Sequence, residues 1–341
     1  MAGSGSAHLR PADQVVLRVQ DLVVEFPAGG GRHVRAVSGV GFDVARGETL
    51  GIVGESGCGK SSTARALMQL PPPRAGSVRL DGVELTALRG EELRRTRRRL
   101  QMIFQDPISS LNPRRRVRDI VAEGTRVWGL GAGRVDEMLE AVGLDPATAA
   151  VRRPHEFSGG QCQRISIARA LVPEPEVVIC DEPVSALDVS VQAQILGLLE
   201  DLKERYRLTL VFIAHDLAVV KNISDRILVM YLGKVCELAP GSALVERPAH
   251  PYTRALLAAI PRSGLNLPPA DRLISGEPPS PVTPPSGCRF RTRCPKAAAR
   301  CAAEEPVMRP LGGDRWVACH FAEESDGRAW GDGGQVTPTG T

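Results

Sequence analysis

No stretch of this 341-residue chain approaches the run of about 18 apolar residues that a membrane-spanning helix needs. Met1 to Arg10 has no apolar segment of the kind that secretory leaders carry, so the expectation is a protein made and kept in the cytosol. Net charge is scarce too. Lys and Arg number 43 against 39 Asp and Glu, which leaves +4 and demands neither nucleic acid nor an anionic membrane as partner. Lysine is rare: five of the 43 cations are Lys and 38 are Arg. With 35 Gly and 27 Pro, this skew reads as the imprint of a GC-rich genome. No internal repeat is present. Eight cysteines in a reducing compartment are expected to be thiols or metal ligands. With 43% hydrophobic and 24% charged residues the composition is ordinary and globular, which argues against a collagen, a wholly disordered chain or a disulfide knot. The length suffices for one large domain or two ordinary ones.

Residues 1–14 are Gly-, Ser- and polar-rich and read as a disordered start. Alternation then marks a strand (Leu17, Val19; Leu22, Val24, Phe26), and a second runs from about Val34 to Val44. Thr49 to Val53 is a short apolar run that enters a glycine-rich loop and a helix ended by Pro71-Pro72-Pro73. Val78 to Leu85, around Asp81-Gly82, reads as a hairpin. Arg94 to Arg99 holds five arginines in six residues, either a solvated helix face or a phosphate or lipid contact. Helical spacing in Val117–Val127 and Val135–Val142 predicts a helical insert of about 106–165. Buried strands are predicted at Val177–Cys180 and Thr209–Ala214, a helix at Val191–Leu202, and two short strands within Arg226–Leu238. Pro261 to Pro285 contains eight prolines and reads as an extended connector. A cysteine cluster follows, and residues 323–341 read as a disordered tail.

Three motifs carry chemistry. Gly54-Glu55-Ser56-Gly57-Cys58-Gly59-Lys60-Ser61 fits the phosphate-loop pattern between a strand and a helix. Its glycines let backbone N–H groups turn around phosphate oxygens, Lys60 supplies a point charge, and the Ser61 hydroxyl can ligate Mg²⁺. Cys58 is either a small residue that fits the loop or a thiol near the nucleotide. Val177-Val178-Ile179-Cys180-Asp181-Glu182 ends a buried strand in two carboxylates. One can hold Mg²⁺ and the other can polarise an attacking water, although the same pair can simply start a turn. Phe157-Ser158-Gly159-Gly160-Gln161 opens a helix, with Ser158 either a plain N-cap or part of an anion site.

In order along the chain stand the phosphate loop, Gln105, Ser158-Gly159-Gly160-Gln161, Asp181-Glu182, Ser185-Ala186-Leu187-Asp188 and His215. This series, over about residues 15–240, resembles the nucleotide-binding subunit of an ABC transporter. The resemblance implies an α/β P-loop ATPase: a RecA-like core, an antiparallel β subdomain and a helical subdomain, followed by a small Cys-rich C-terminal extension. It implies that Gly54, Ser56, Gly57, Cys58, Gly59, Lys60, Ser61 and Ser62 surround the ATP phosphates. Phe26 would stack on adenine, where the family more often has Tyr; an ordinary core Phe is the other reading. Ser61, Gln105 and Asp181 would hold Mg²⁺. Glu182 would be the general base, His215 the γ-phosphate contact, and Gln105 a γ-phosphate sensor linked to the membrane subunit. Ser158, Gly159, Gly160 and Gln161 would bind the ATP held by a second subunit's loop, with Asp188 across that interface.

A finer resemblance rests on Pro154-His155-Glu156-Phe157-Ser158-Gly159-Gly160-Gln161 and His250-Pro251-Tyr252-Thr253-Arg254-Ala255-Leu256-Leu257, which resemble the oligopeptide, dipeptide and nickel importer ATPases. Cys162-Gln163 departs slightly from that family's usual continuation. Cys288, Cys294, Cys301 and Cys319 have gaps of 5, 6 and 17 residues, which is not the paired spacing of zinc ribbons. Four thiols in a core-poor segment still suggest a metal staple. The resemblance implies a 4Fe–4S cluster there; zinc, free thiols or disulfides are the alternatives.

The expectation is an ATPase in three parts: residues 15–240 as nucleotide-binding domain, 241–322 as importer-type extension, and 323–341 as tail. It would energise peptide uptake from the cytoplasmic face of the membrane. The implied partners are two permease subunits, a second ATP-binding subunit (a paralogue or another copy) and, indirectly, a solute-binding protein. Nucleic acid is not expected. The competing readings are a soluble ABC ATPase acting on ribosomes or DNA, and an exporter ATPase. The first usually has two cassettes or a coiled-coil insertion, neither of which is seen; the importer-type tail argues against the second.

Overall fold

The computed structural model describes residues 5–131, 133–260, 274 and 276–322. Most of the predicted connector (261–273 and 275), the tail from 323 and residues 1–4 lie outside the described residues. Two sheets organise the chain. A four-stranded antiparallel sheet is ordered β2-β1-β4-β5, with β1 at Leu17–Pro27, β2 at His33–Val44, β4 at Ala75–Leu80 and β5 at Val83–Glu84. Leu17 pairs with Val44 and Phe26 with Val34, so the alternating apolar residues Leu17, Val19, Leu22 and Val24 share a buried face.

The second sheet has eight strands. Five are parallel: β6 (Leu100–Ile103), β7 (Val177–Asp181), β8 (Thr209–Ala214), β3 (Thr49–Val53) and β9 (Arg226–Tyr231). Every residue of β3, β7 and β8 is buried, which is why these strands read as continuous apolar runs. Helices cover the sheet. They include α1 (Lys60–Leu67), α2 (Gly90–Arg99), α8 (Val189–Tyr206) and α9 (Leu217–Ile223). Between β6 and β7 the chain inserts α3 (Pro107–Ser110), α4 (Val117–Trp128), α5 (Gly133–Ala141), α6 (Pro146–Val151) and α7 (Gly159–Leu171). Among the described residues no helix is long and apolar enough to cross a membrane.

The arginines of α2 are used internally. Arg94 and Arg95 pair with Glu91, Arg97 donates to the carbonyls of Met68 and Gln69, and Arg99 pairs with Glu176 and Asp81. The start of the chain is a correction. Part of the segment expected to be disordered packs on the core: His8 is 3% exposed and hydrogen-bonds to the Gly41 carbonyl, and Arg10 pairs with Asp43 and Glu48, while residues 5–7 and 11–14 are exposed. Composition alone could not reveal two polar residues that answer buried polar partners.

The chain after 240 continues the same sheet. β10 (Lys234–Pro240) runs antiparallel to β9, β12 (Arg315–Val317) pairs with β10, and β11 (Arg309–Gly312) pairs with β12. Between them lie α10 (Gly241–Glu246), α11 (Pro251–Ala258) and α12 (Ala299–Ala303). Glu237, 1% exposed, accepts the N–H groups of Ala249 (2.9 Å) and His250 (2.8 Å) and so ties β10 to the entry of α11. His250 caps α11 by accepting the Tyr252 N–H on Nδ1 at 3.0 Å.

Burial pushes the His250 imidazole down from 6.5 to about 3. The unfolded chain therefore binds a proton between those values that the folded chain does not, and stability is lost as pH falls below about 6.5. Urea unfolding at pH 7, 6 and 5 should show a slope from this group approaching about 1.4 kcal/mol per pH unit. His250→Asn, which keeps a capping acceptor, should remove that share of the slope; an unchanged slope would refute the assignment. His8, also pushed down mainly by burial, adds a second contribution of the same sign.

Candidate functional site: a phosphate loop facing two carboxylates

The loop after β3 turns at glycines that have no alternative. A Cβ on Gly54 would stand 2.1 Å from the Met230 carbonyl oxygen. One on Gly59, whose φ is +105°, would stand 2.2 Å from the Ala36 carbonyl oxygen. Lys60 follows at the start of α1. It is 4% exposed, and its Nζ donates to the carbonyls of Gly54 (2.7 Å) and Glu55 (3.1 Å). Cys58 is buried at 4% exposure and burial raises its thiol, so it packs as a small neutral residue.

The carboxylates arrive at the ends of neighbouring parallel strands. Asp181 ends β7 at 2% exposure and accepts a hydrogen bond from the Ser61 hydroxyl at 2.8 Å. Burial raises its carboxyl affinity for a proton; Ser61 opposes the shift and Glu182 adds to it. Glu182 has a left-handed backbone, φ +47°, uncommon for a residue with a side chain. Its N–H donates to the Ile213 carbonyl at 2.9 Å and its carbonyl accepts from the Ser185 hydroxyl at 3.1 Å, and these bonds hold the strained turn. The side chain then faces the loop: Oε1 lies 3.9 Å from Lys60 Nζ, Gln105 Nε2 donates to Oε2 at 3.1 Å, and His215 Nδ1 lies 3.4 Å from Oε2.

These groups surround one cavity of about 230 Å³, lined by Ser56, Gly57, Gly59, Lys60, Ser61, Ser62, Gln105, Glu182 and His215, with Val34 and Ala36 from β2. Phe26 does not line it. It is 36% exposed and stands opposite Val34, at the rim. Ser158, Gly159, Gly160 and Gln161 do not line it either. They open α7 in a reciprocal cap, with the Gln161 N–H donating to Ser158 Oγ at 3.3 Å and the Ser158 N–H to Gln161 Oε1 at 2.9 Å. Asp188 caps α8 by accepting the Val191 N–H at 2.9 Å. Gly160 sits against α8, where a Cβ would stand 2.7 Å from Val191 Cγ1.

The four C-terminal cysteines share a neighbourhood: Cys294, Cys301 and Cys319 all lie close enough to Cys288 to act on its thiol, and Cys301 and Cys319 act on that of Cys294. Burial pushes Cys288 to about 12 and Cys294 to about 11, and raises Cys319. Yet among the described residues no group of three or more His, Cys, Asp or Glu side chains is placed to hold a metal ion. The expected 4Fe–4S ligand set of Cys288, Cys294, Cys301 and Cys319 is therefore not supported by this arrangement, in which Cys301 is buried and the other three are partly buried.

Sequence reasoning missed the groups behind the loop. Arg293 pairs with Glu55 at 2.7 Å, and Tyr252 Oη accepts the Glu55 N–H at 2.7 Å. Their separations from Glu55, 238 and 197 residues, leave no local signal.

The family described as ABC transporter matches residues 37–185, and the oligopeptide/dipeptide transporter C-terminal region matches residues 236–301. YkfD of Bacillus subtilis is 51% identical over 321 residues, covering 91% of this chain and 97% of that protein. The oligopeptide transport ATP-binding protein OppF of Escherichia coli is 50% identical over 311 residues, covering 86% and 93%. Among solved structures, cbiO1 of Clostridium perfringens, part of an ABC transporter complex, aligns with TM-score 0.61 at 27% identity over 68% of this chain and 91% of that one. The cassette MJ0796, as a dimer bound to ADP and Pi, aligns with TM-score 0.60 at 28% identity over 66% and 98%. The chain belongs to the ABC transporter ATPases, in the oligopeptide/dipeptide transporter family.

Proposed function

We propose that this chain is the ATP-hydrolysing subunit of an importer that drives uptake of oligopeptides, dipeptides or a related solute through separate membrane subunits. The carrying observation is the single cavity that gathers Lys60, Ser61, Gln105, Glu182 and His215. The C-terminal family match favours an importer over an exporter or a soluble ribosome- or DNA-directed ATPase.

The loop from Gly54 to Ser62 cradles the phosphates, and Lys60 places its charge at the transferring group. Ser61 and Asp181, already in contact, and Gln105 offer the oxygen donors that Mg²⁺ prefers. The proton affinity of the buried Asp181 marks negative charge that a cation would relieve. When bound, Mg²⁺ would neutralise phosphate charge. Glu182 is oriented by Gln105 and His215 and accepts the proton of the attacking water. His215 also faces the γ-phosphate position, and Phe26 at the rim stacks on the base.

Ser158–Gln161 and Asp188 stand outside the cavity in their own chain, which fits a second ATP-binding subunit completing each site. Phe104 (37% exposed) and Ile108 (62% exposed) flank Gln105 and give a permease subunit an apolar contact next to the γ-phosphate sensor. On this reading the subunit sits peripherally on the cytoplasmic face of the membrane.

Lys60→Ala should abolish ATP turnover in the assembled transporter; wild-type turnover would overturn the assignment of the loop. Glu182→Gln should retain ATP binding and lose about 10²–10⁴-fold in hydrolysis. It should also trap an ATP-bound pair of ATPase subunits on size exclusion. A variant that neither dimerises with ATP nor loses hydrolysis would refute the role of Glu182.

A further inference from the structure

The C-terminal extension reaches the phosphate loop from behind. Glu55, the second residue of the loop, is held at three points: its N–H donates to Tyr252 Oη at 2.7 Å, its carboxylate pairs with Arg293 at 2.7 Å, and its carbonyl accepts from Lys60 Nζ at 3.1 Å. The N–H of Glu55 and the carbonyl of Gly54 belong to one planar trans peptide and point in opposite directions. One end of that plane meets Tyr252; the other meets Lys60 Nζ at 2.7 Å. Fixing the plane at Tyr252 therefore fixes a resting contact of the lysine.

Both anchors are themselves held firmly. Tyr252 is fully buried, with ring centroids 4.8 Å from Tyr231 and 5.4 Å from Phe290. His250 receives its N–H, and Glu237 receives those of Ala249 and His250. Arg293, with a 9% exposed side chain, donates Nε to the Gly276 carbonyl at 3.1 Å and Nη1 to Tyr231 Oη at 3.4 Å. Pro278, Pro279 and Pro281 line a pocket of about 200 Å³ together with Ser56, Gly57 and Cys58, and the Pro281 carbonyl accepts the Arg35 N–H of β2 at 3.3 Å.

We infer that Tyr252 and Arg293 are positioning residues for ATP: through Glu55 they set the Gly54–Glu55 peptide and with it the placement of Lys60. The inference rests on the reading of Lys60 as the phosphate-binding lysine. It assigns the His250–Leu257 motif a task at the nucleotide site of its own chain.

The test is a cycle on the full-length chain, reading Mg²⁺-dependent binding of a fluorescent ATP analogue displaced by ATP. Tyr252→Phe keeps the ring and removes the acceptor. It should weaken ATP about 10-fold, equal to about 1.4 kcal/mol, with an unchanged unfolding midpoint. In a Lys60→Ala background the same substitution should change affinity less than about 2-fold, because its effect passes through the lysine. Arg293→Met should behave like Tyr252→Phe, whereas Arg293→Lys should retain most of the affinity. Equal weakening in both backgrounds, or none in a folded Tyr252→Phe protein, would overturn the inference. If Tyr252→Phe unfolds, the Arg293→Met cycle decides in the same way. If Lys60→Ala binds ATP like the wild type, it is the reading of the loop itself that fails.

Discussion

Two carbonyl oxygens, those of Ala36 and Met230, confine the phosphate loop. Both face positions where a Cβ cannot stand, on Gly59 and Gly54, and the Ala36 oxygen also lies 2.7 Å from where a Cβ of Gly233 would be. The Gly233 N–H in turn donates to the Cys58 carbonyl at 2.8 Å, and the Ser38 N–H donates to the Gly233 carbonyl at 2.9 Å. Three strands from two sheets are thereby locked around one loop: β2 of the antiparallel sheet, and β3 and β9 of the core. Close packing transmits small displacements. A loop wedged between backbones moves only if the sheets move, which makes the cradle rigid before a nucleotide arrives.

That rigidity matters because the rest of the site is made of strand ends. Asp181, Glu182 and His215 follow β7 and β8, which pair with each other and, through β8, with β3. Their reach toward Lys60 is set by the register of the parallel ladder. Strain at Glu182 is sustained by the same ladder, since its N–H ends on Ile213 of β8. The opposing charges of Lys60 and Glu182 lie 3.9 Å apart on side chains only 4% and 13% exposed, where they interact more strongly than in bulk water. The glycine-rich start of α7 answers a different geometry. It is capped within itself, its residues are largely exposed, and it lies outside this cavity.

Much of this was legible in the sequence. The strands β3, β7 and β8 are apolar runs, the loop glycines follow a short-range pattern, and Asp181-Glu182 ends a strand with its chemistry adjacent in the chain. What stayed hidden depends on contacts far apart along the chain. His8 and Arg10 look like ordinary polar residues until Gly41, Asp43 and Glu48 are placed beside them. β11 and β12 are too short to show a period, and Arg309–Gly312 contains a proline and a glycine that argue against a strand. Neither period nor spacing records the direction in which a side chain points.

The extension is a foundation of the nucleotide site. The chain has only three tyrosines and seven phenylalanines, yet Tyr231 of β9, Tyr252 of α11 and Phe290 of the extension meet within 5.4 Å, centroid to centroid, next to the loop. Each comes from a different segment, so no single segment can build this cluster alone. Arg289 donates to Ser38 of β2 at 2.8 Å and to the Leu232 carbonyl, reaching the same strands that confine the loop. Without the extension, the β10 edge would lose β12, Glu55 would lose both Tyr252 and Arg293, and Tyr231 would lose the Tyr252 and Phe290 rings. Apolar rings left without partners next to a backbone cradle would free the motion that the glycine contacts suppress. On this account the C-terminal region supports the loop in front of it through its packing.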